Sequence, residues 1–199
     1  LTFPSQAEAD KLIQVRIAKD LILYYADNAQ AEGGLANTPH LRIKDYFDHT
    51  VPILLDHNGT QEPLSVQFSQ YLGDDKDNDM QGDTATLLAG FDGHDNYRIN
   101  VQMSTQNKWT INNTAEDQKL DTLELEGSVE LNELLLVIQG DHLEIQIFDG
   151  PVSSQTMTGD QYTTPPKSIV LENYVASAQA RHLQLKIGER QFVLPAVDR

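Results

Sequence analysis

The residues of this chain with the clearest capacity for chemistry are aspartates in one short acidic segment. The segment at 73–93 reads GDDKDNDMQGDTATLLAGFDG, and Lys76 is its only basic residue. Like charges this close repel each other unless water or a cation relieves them. Alternate carboxylates beside a glycine also supply the oxygen ligands that Ca²⁺ requires. The sequence therefore predicts a Ca²⁺-stabilised loop with four ligands: Asp75, Asp77, Asp79 and Asp83.

This segment does not match the EF-hand. Counted from Asp77, the twelfth position falls on Leu88, which has no carboxylate to offer. The flanking residues also have the pattern of strands rather than helices. We therefore expect a looser acidic loop in a β-domain, and no cofactor other than Ca²⁺. His94, in the neighbouring turn at 91–96, would extend such a site if the two loops meet.

The sequence carries no motif of nucleophilic, nucleotide-dependent or zinc-dependent catalysis. It has no cysteine and contains neither G-x-S-x-G nor H-E-x-x-H nor a Walker loop. Paired carboxylates for glycoside hydrolysis stay open as an alternative, because the separation of two acids depends on the tertiary structure. Trp109 together with Tyr71, Tyr97 and Tyr162 is a candidate stacking platform for a sugar.

The charge balance restricts the partners of the protein. With 14 basic and 30 acidic residues, the chain has a formal net charge of −16. Such a surface repels nucleic acids and anionic membranes, and no apolar run reaches the ~20 residues of a membrane span. We expect another protein or a glycan as partner, no nucleic acid and no membrane insertion. Because the chain starts at Leu1 rather than Met, we also expect a processed or excised piece of a longer product.

The first thirty residues have the pattern of a helix. Ser5 and Glu8 have the spacing of a capping box, and apolar residues follow at steps of three and four from Ile13. Gly33 and Gly34 supply the backbone freedom that favours a helix end. The sequence predicts a buried helix from about Ser5 to Ala31.

Beyond residue 60 the hydrophobic period changes to two, which indicates strands. Leu123 and Leu125 alternate with Glu124 and Glu126 as in a half-solvated strand. Hairpins are predicted at 134–148 and at 183–194, each around a glycine turn. Since no helical crossovers separate these strands, we expect an antiparallel sheet.

The predicted fold is mainly β in an α+β arrangement, with the N-terminal helix packed on an antiparallel β-sandwich or barrel-like sheet. The helical segment would span 1–58 and the β-domain 59–199, together one compact domain. This order of elements resembles the headgroups of pilin-like secretion subunits, and the resemblance implies a structural subunit without assigning a role to any residue.

The sequence favours a non-catalytic, extracytoplasmic binding or assembly module of bacterial type that uses protein–protein interaction, located in the periplasm or outside the cell. The alternatives are a carbohydrate-active enzyme with paired carboxylates and the pilin-like structural subunit.

Overall fold

The computed structural model shows a mainly β protein, with 49% strand and 6% helix. It describes residues 2–3, 11–25, 40–49, 52–57, 59–66, 68–83, 85–113, 116–117, 119–152 and 167–196. The contacts divide the chain into two compact units, Leu1–Tyr71 and Leu72–Arg199. In the described residues, no helix is long and apolar enough to cross a membrane.

The first unit contains a small meander and a second small sheet. Its strands are β1 (Thr2–Phe3), β2 (Leu12–Ile17), β3 (Asp20–Tyr25), β4 (Leu41–Ile43), β5 (Leu54–His57) and β6 (Thr60–Pro63), and β7 (Gln70–Leu72) ends at the unit boundary. Strands β2, β3 and β4 pair in antiparallel order. Strand β5 pairs in parallel with β1 and antiparallel with β6.

The predicted helix from Ser5 to Ala31 is wrong in its described part. Residues 12–25 form the hairpin of β2 and β3, which turns at Ala18 with φ of 48°. Two adjacent strands of six residues mimic the helical period, because Ile13 and Ile17 lie four positions apart on one face of the same strand. Residues 5–10 and 26–31 lie outside the described part of the chain.

Polar contacts hold the turn end of this hairpin. Asp20 is buried, accepts a hydrogen bond of 2.7 Å from the Asp45 amide and forms an ion pair with Arg42. Burial alone would raise the pKa of Asp20, but the Asp45 amide and Arg42 hold it below its usual value.

The second unit contains ten of the described strands. They are β8 (Asp79–Gln81), β9 (Leu87–Ala89), β10 (Asn96–Asn100), β11 (Lys108–Asn112), β12 (Asp121–Glu126), β13 (Leu134–Gln139), β14 (His142–Ile147), β15 (Lys167–Leu171), β16 (Leu183–Ile187) and β17 (Arg190–Val193).

The chain of the second unit alternates between two sheets as it advances. One sheet has the order β17-β16-β12-β10-β8, and the strands of the other follow the order β13-β14-β15-β11-β9. Strand β10 pairs in parallel with both β8 and β12, and β11 pairs in parallel with both β9 and β15. The coils from β8 to β10 and from β10 to β12 each consist of a strand in one sheet, a turn, a strand in the other sheet and a second turn. Between β12 and β16 the chain adds the hairpin of β13 and β14 before β15.

The predicted antiparallel sheet is thus wrong for the centre of this unit. A parallel connection normally needs a crossover helix, and the chain shows no helical pattern between these strands. Here a strand of the opposite sheet takes the place of the crossover helix. Hydrophobic period does not report strand direction, so alternation alone could not separate the two arrangements.

The predicted hairpins and the inward leucine row are confirmed. Strands β13 and β14 pair antiparallel, as do β16 and β17. Leu123 and Leu125 are at most 1% exposed. Strand β12 ends at Glu126, and the next residue, Gly127, has a φ of 102°. The core between the two sheets contains large buried side chains, among them Trp109, Tyr97, Met80, Leu88, Ile99 and Ile111.

Replacing Leu123 by alanine should lower the free energy of unfolding by about 2–5 kcal/mol, because it removes buried methyl groups and leaves a cavity. Urea denaturation followed by the fluorescence of Trp109, the single tryptophan, reports on the second unit. Leu136→Ala is the matched control, since Leu136 is 40% exposed, and it should change stability by about 0.5 kcal/mol or less. Equal losses in the two variants would contradict the described core.

Candidate functional site

Three polar side chains stack at one end of the parallel sheet. Asn96 lies opposite both Asp79 and Thr122 in the register of β8, β10 and β12. The residues that precede these three, Asn78, Asp95 and Asp121, therefore occupy equivalent positions in successive coils. We call this row the polar row.

Backbone amides connect the members of the polar row. The Asn78 amide donates to Asp95 Oδ1 at 2.9 Å, and the Asp95 amide donates to Asp121 Oδ1 at 2.6 Å. The Asn78 side-chain amide also donates to Asp95 Oδ1, at 3.0 Å. Asp95 and Asp121 thus each satisfy a backbone donor of the preceding coil where the regular sheet begins.

The two carboxylates of the polar row are buried. Asp95 is 2% exposed and Asp121 is fully buried, and Oδ2 of each has no hydrogen-bond partner among the described residues. Asn113 lies near Asp121 and lowers its pKa without reaching Oδ2 in hydrogen-bond geometry. Burying a carboxylate without full pairing is unfavourable, so Asp95 and Asp121 lower the stability of the second unit while they are ionised.

Burial is the main cause of shifted pKa values at both positions. It raises the pKa of Asp95 to about 6. The hydrogen bonds from Asn78 lower this pKa, whereas the charges of Asp77 and Asp117 raise it. Burial likewise raises the pKa of Asp121 to about 6. The hydrogen bond from the Asp95 amide lowers this pKa, and the negative charge of Asp95 raises it. A proton or a cation would relieve this repulsion.

Two acids outside the row, the exposed Asp77 and the half-buried Asp117, accept hydrogen bonds from turn amides. Asp77 Oδ1 accepts from the His94 amide at 2.9 Å, and Asp117 Oδ2 accepts from the Gly93 amide at 2.8 Å. The acidic loop and the turn of His94 therefore meet. The His94 ring, however, contacts the Leu120 carbonyl oxygen through Nδ1 at 3.1 Å.

The four predicted calcium ligands have separate surroundings. Asp75 is exposed, Asp77 accepts from the His94 amide, Asp79 pairs with Arg98 at 2.8 Å, and Asp83 is exposed in the turn after β8. Within the described ranges, no group of three or more His, Cys, Asp or Glu side chains is arranged to hold a metal ion. Calcium binding by these four aspartates stays a prediction.

The described aromatic residues of the predicted sugar platform are buried. Trp109 and Tyr97 are fully buried and Tyr71 is 4% exposed, while Tyr162 lies outside the described residues. The Trp109 indole donates to the Gly82 carbonyl at 2.7 Å. These rings therefore pack in cores rather than present a face to a ligand.

The glutamates of strand β12 pair with basic residues on the outer face of their sheet. Glu124 lies 2.7 Å from Lys186 Nζ, and Glu126 lies 3.6 Å from Arg98. Burial would raise the pKa of Glu124, but Lys186 and Asn96 lower it below its usual value. Two ion pairs on an outer sheet face account for these carboxylates.

Sequence reasoning missed the buried members of the polar row, although a signal was present. Each member stands two residues before a buried side chain: Asn78 before Met80, Asp95 before Tyr97 and Asp121 before Leu123. An aspartate or asparagine at a fixed distance before an alternating strand, repeated along the chain, indicates stacked coils.

No protein-family model, curated protein or solved structure matches this chain.

The two raised pKa values predict an unusual pH dependence of stability. Between pH 4 and pH 6 the folded state binds more protons at Asp95 and Asp121 than the unfolded state, so the free energy of unfolding rises as the pH falls. In the presence of a chelator, the free energy of unfolding should be about 2–3 kcal/mol higher at pH 5 than at pH 7. Urea denaturation at a series of pH values measures it.

Asp121→Asn should reduce this gain by about half, because it removes one of the two titrating carboxyls and keeps the oxygen that accepts from the Asp95 amide. The control Asp149→Asn removes an exposed carboxylate and should retain the full gain. A stability that falls steadily from pH 7 to pH 5 in the wild-type protein would contradict the assignment.

Proposed function

We propose that this chain is a non-catalytic binding or assembly module that engages a basic partner protein through the edge strand β13. The observation that carries the proposal is the character of that strand. It is the last strand of its sheet among the described residues, and its sequence is LLLVIQ.

Strand β13 combines an open edge with exposed apolar side chains. Leu136 is 40% exposed and Ile138 is 53% exposed. An edge strand offers unpaired backbone donors and acceptors to another chain, and native proteins usually protect it with charge or proline. Here neither protects the strand itself, as expected of an edge that accepts a partner strand.

The charge around the strand favours a basic partner. Residues 120–166 contain no lysine or arginine, whereas Glu130 and Glu133 precede β13 and Asp141 follows it. Complementary charge accelerates association and excludes acidic competitors, other copies of this acidic chain included. A partner strand flanked by lysine or arginine would pack on the exposed apolar side chains of β13 and pair with the acids at its two ends.

The described part of the chain gives the alternatives less support. A glycan partner would need exposed aromatic faces, but Trp109 and Tyr97 are fully buried. A carbohydrate-active enzyme would need two free acids, and Glu124 and Glu126 are in ion pairs. The pilin-like subunit was inferred from an N-terminal helix, and residues 12–25 form a hairpin. The extracellular or periplasmic location stays a prediction.

A short synthetic strand tests the proposal directly. An amidated peptide of alternating lysine and valine, about seven residues long, should shift the backbone amide NMR signals of β13. A peptide of alternating glutamate and valine should shift them much less, because the acidic rim repels it. No shift in β13, or equal shifts with both peptides, would contradict the proposal.

Substitution at the edge provides the matched comparison. Ile138→Lys places a positive charge against the lysine peptide and should weaken its binding about tenfold or more. Val193→Lys is the control, because Val193 is 93% exposed on β17, the edge strand of the other sheet. It should leave the affinity within about twofold. Equal weakening by the two variants would argue for charge repulsion without a defined site.

A further inference from the structure

The hairpin of β13 and β14 determines which backbone groups of β13 point away from β14. The Phe148 amide donates to the Glu133 carbonyl at 3.0 Å, in continuation of the ladder of the hairpin. Hydrogen-bonded pairs alternate with non-hydrogen-bonded pairs in an antiparallel ladder. Counted from Glu133, the residues of β13 that bond to β14 are therefore Leu135, Val137 and Gln139.

The intervening residues of β13 are Leu134, Leu136 and Ile138, and their N–H and C=O groups point to the open edge. The two-residue turn at Gly140 and Asp141 agrees with this count, because the pair that closes such a turn is hydrogen-bonded. No strand pairs with this edge among the described residues. The edge therefore offers another chain a row of donors and acceptors at every second residue.

Leu136 also lies at the end of a row of core side chains. In the register of the sheet it is opposite Ile145, which is opposite Ile169, which in turn is opposite Trp109. These three side chains are fully buried, whereas Leu136 is 40% exposed. Side chains directly opposite each other share one face of a sheet, so Leu136 lies on the core face.

Ile138 ends a second row in the same way. It is opposite Leu143, and the row continues through Leu171 and Ile111. The three inner members are at most 2% exposed, and Ile138 is 53% exposed. The same residues of β13 thus carry the outward backbone groups and the exposed side chains of the core face.

We infer that the partner supplies a single extended strand, which pairs antiparallel with β13 and has an apolar side chain at every second position. This inference rests on the proposed function of β13 and specifies the partner. Opposite residues of an antiparallel pair share a face, and in hydrogen-bonded pairs they exchange both hydrogen bonds. The partner residues that bond to Leu134, Leu136 and Ile138 therefore also cover their side chains, which requires them to be apolar. The residues between them point to the other face and can be basic.

Parallel addition would separate these two roles. In a parallel pair, each edge residue bonds to the two partner residues that flank the opposite one, and the side chains of those two point to the other face. Parallel pairing is also slightly less stable per residue. A second copy of this chain is disfavoured as the occupant, because each copy has a formal net charge of −16 and brings Glu130, Glu133 and Asp141 to the edge.

Methylation of single backbone nitrogens in the lysine–valine peptide tests the inference, because an N-methyl group removes one N–H donor. Methylation at a central valine should weaken binding about tenfold or more, whereas methylation at a central lysine should change it by less than about threefold. The two peptides have the same charge and the same side chains, so each is the control for the other. The reverse pattern, or equal losses, overturns this inference and leaves the proposed function intact. Absence of binding by the unmethylated peptide overturns both.

Hydrogen exchange of the backbone amides, followed by NMR, checks the same geometry on the protein. In the free protein, the amides of Leu136 and Ile138 should exchange at least about tenfold faster than those of Val137 and Gln139. Saturating peptide should slow the Leu136 and Ile138 amides about tenfold or more and leave the Val137 amide almost unchanged. Slow exchange at Leu136 and Ile138 without peptide would show that the chain covers its own edge, and it would overturn the inference.

Leu136→Pro removes an outward amide and retains the hairpin, since proline is tolerated at an edge where its nitrogen faces solvent. It should weaken peptide binding about tenfold or more and lower Tm by about 5 °C or less. Val137→Pro removes an amide that bonds to β14, so it should lower Tm further than Leu136→Pro does.

Leu136→Ala retains the outward amide and should weaken binding less than Leu136→Pro. Equal weakening by these two variants would assign binding to the side chain alone. A dimer of the free protein that Leu136→Pro dissociates would make a second copy the occupant. Either result overturns the inference.

Discussion

The parallel ladder of strands β8, β10, β12 and β16 is the constraint on which the second unit depends. A parallel neighbour can follow only after the chain has left the sheet and returned to the same edge in register. The chain does so through β9, β11 and β15 of the opposite sheet, so it must change sheet twice between neighbouring strands of the ladder. The backbone groups of these turns cannot join either ladder, and side chains must satisfy them.

The two ends of the coils meet this requirement with different residues. At one end, Asn78, Asp95 and Asp121 form a row in which the Asp95 and Asp121 side chains each accept from the amide of the preceding member. At the other end, Lys167 reaches two carbonyls of the turn 101–107. Between them, alternate residues of each strand fill the core, so the turns determine the register and the apolar side chains supply most of the burial free energy.

Much of the strand content could be predicted from the sequence, whereas strand direction and the buried acids could not. The rows of Leu123 and of Leu185 alternate correctly because period two reports which face is buried. The same alternation is compatible with parallel or antiparallel pairing. Asp95 and Asp121 escaped notice because their burial follows from stacking against neighbouring coils, which is a contact between residues 26 positions apart. The hairpin of β2 and β3 has a sequence pattern that also fits a helix, because the hairpin is apolar on both faces: Leu21, Ile22 and Leu23 are all buried.

The asparagine at position 78 shows that the fold itself does not need a carboxylate in these turns. An amide satisfies the carbonyls of the turn without the desolvation penalty of a charge. Asp95 is buried with an unpartnered Oδ2, so while it is ionised it makes its coil less stable than an amide would.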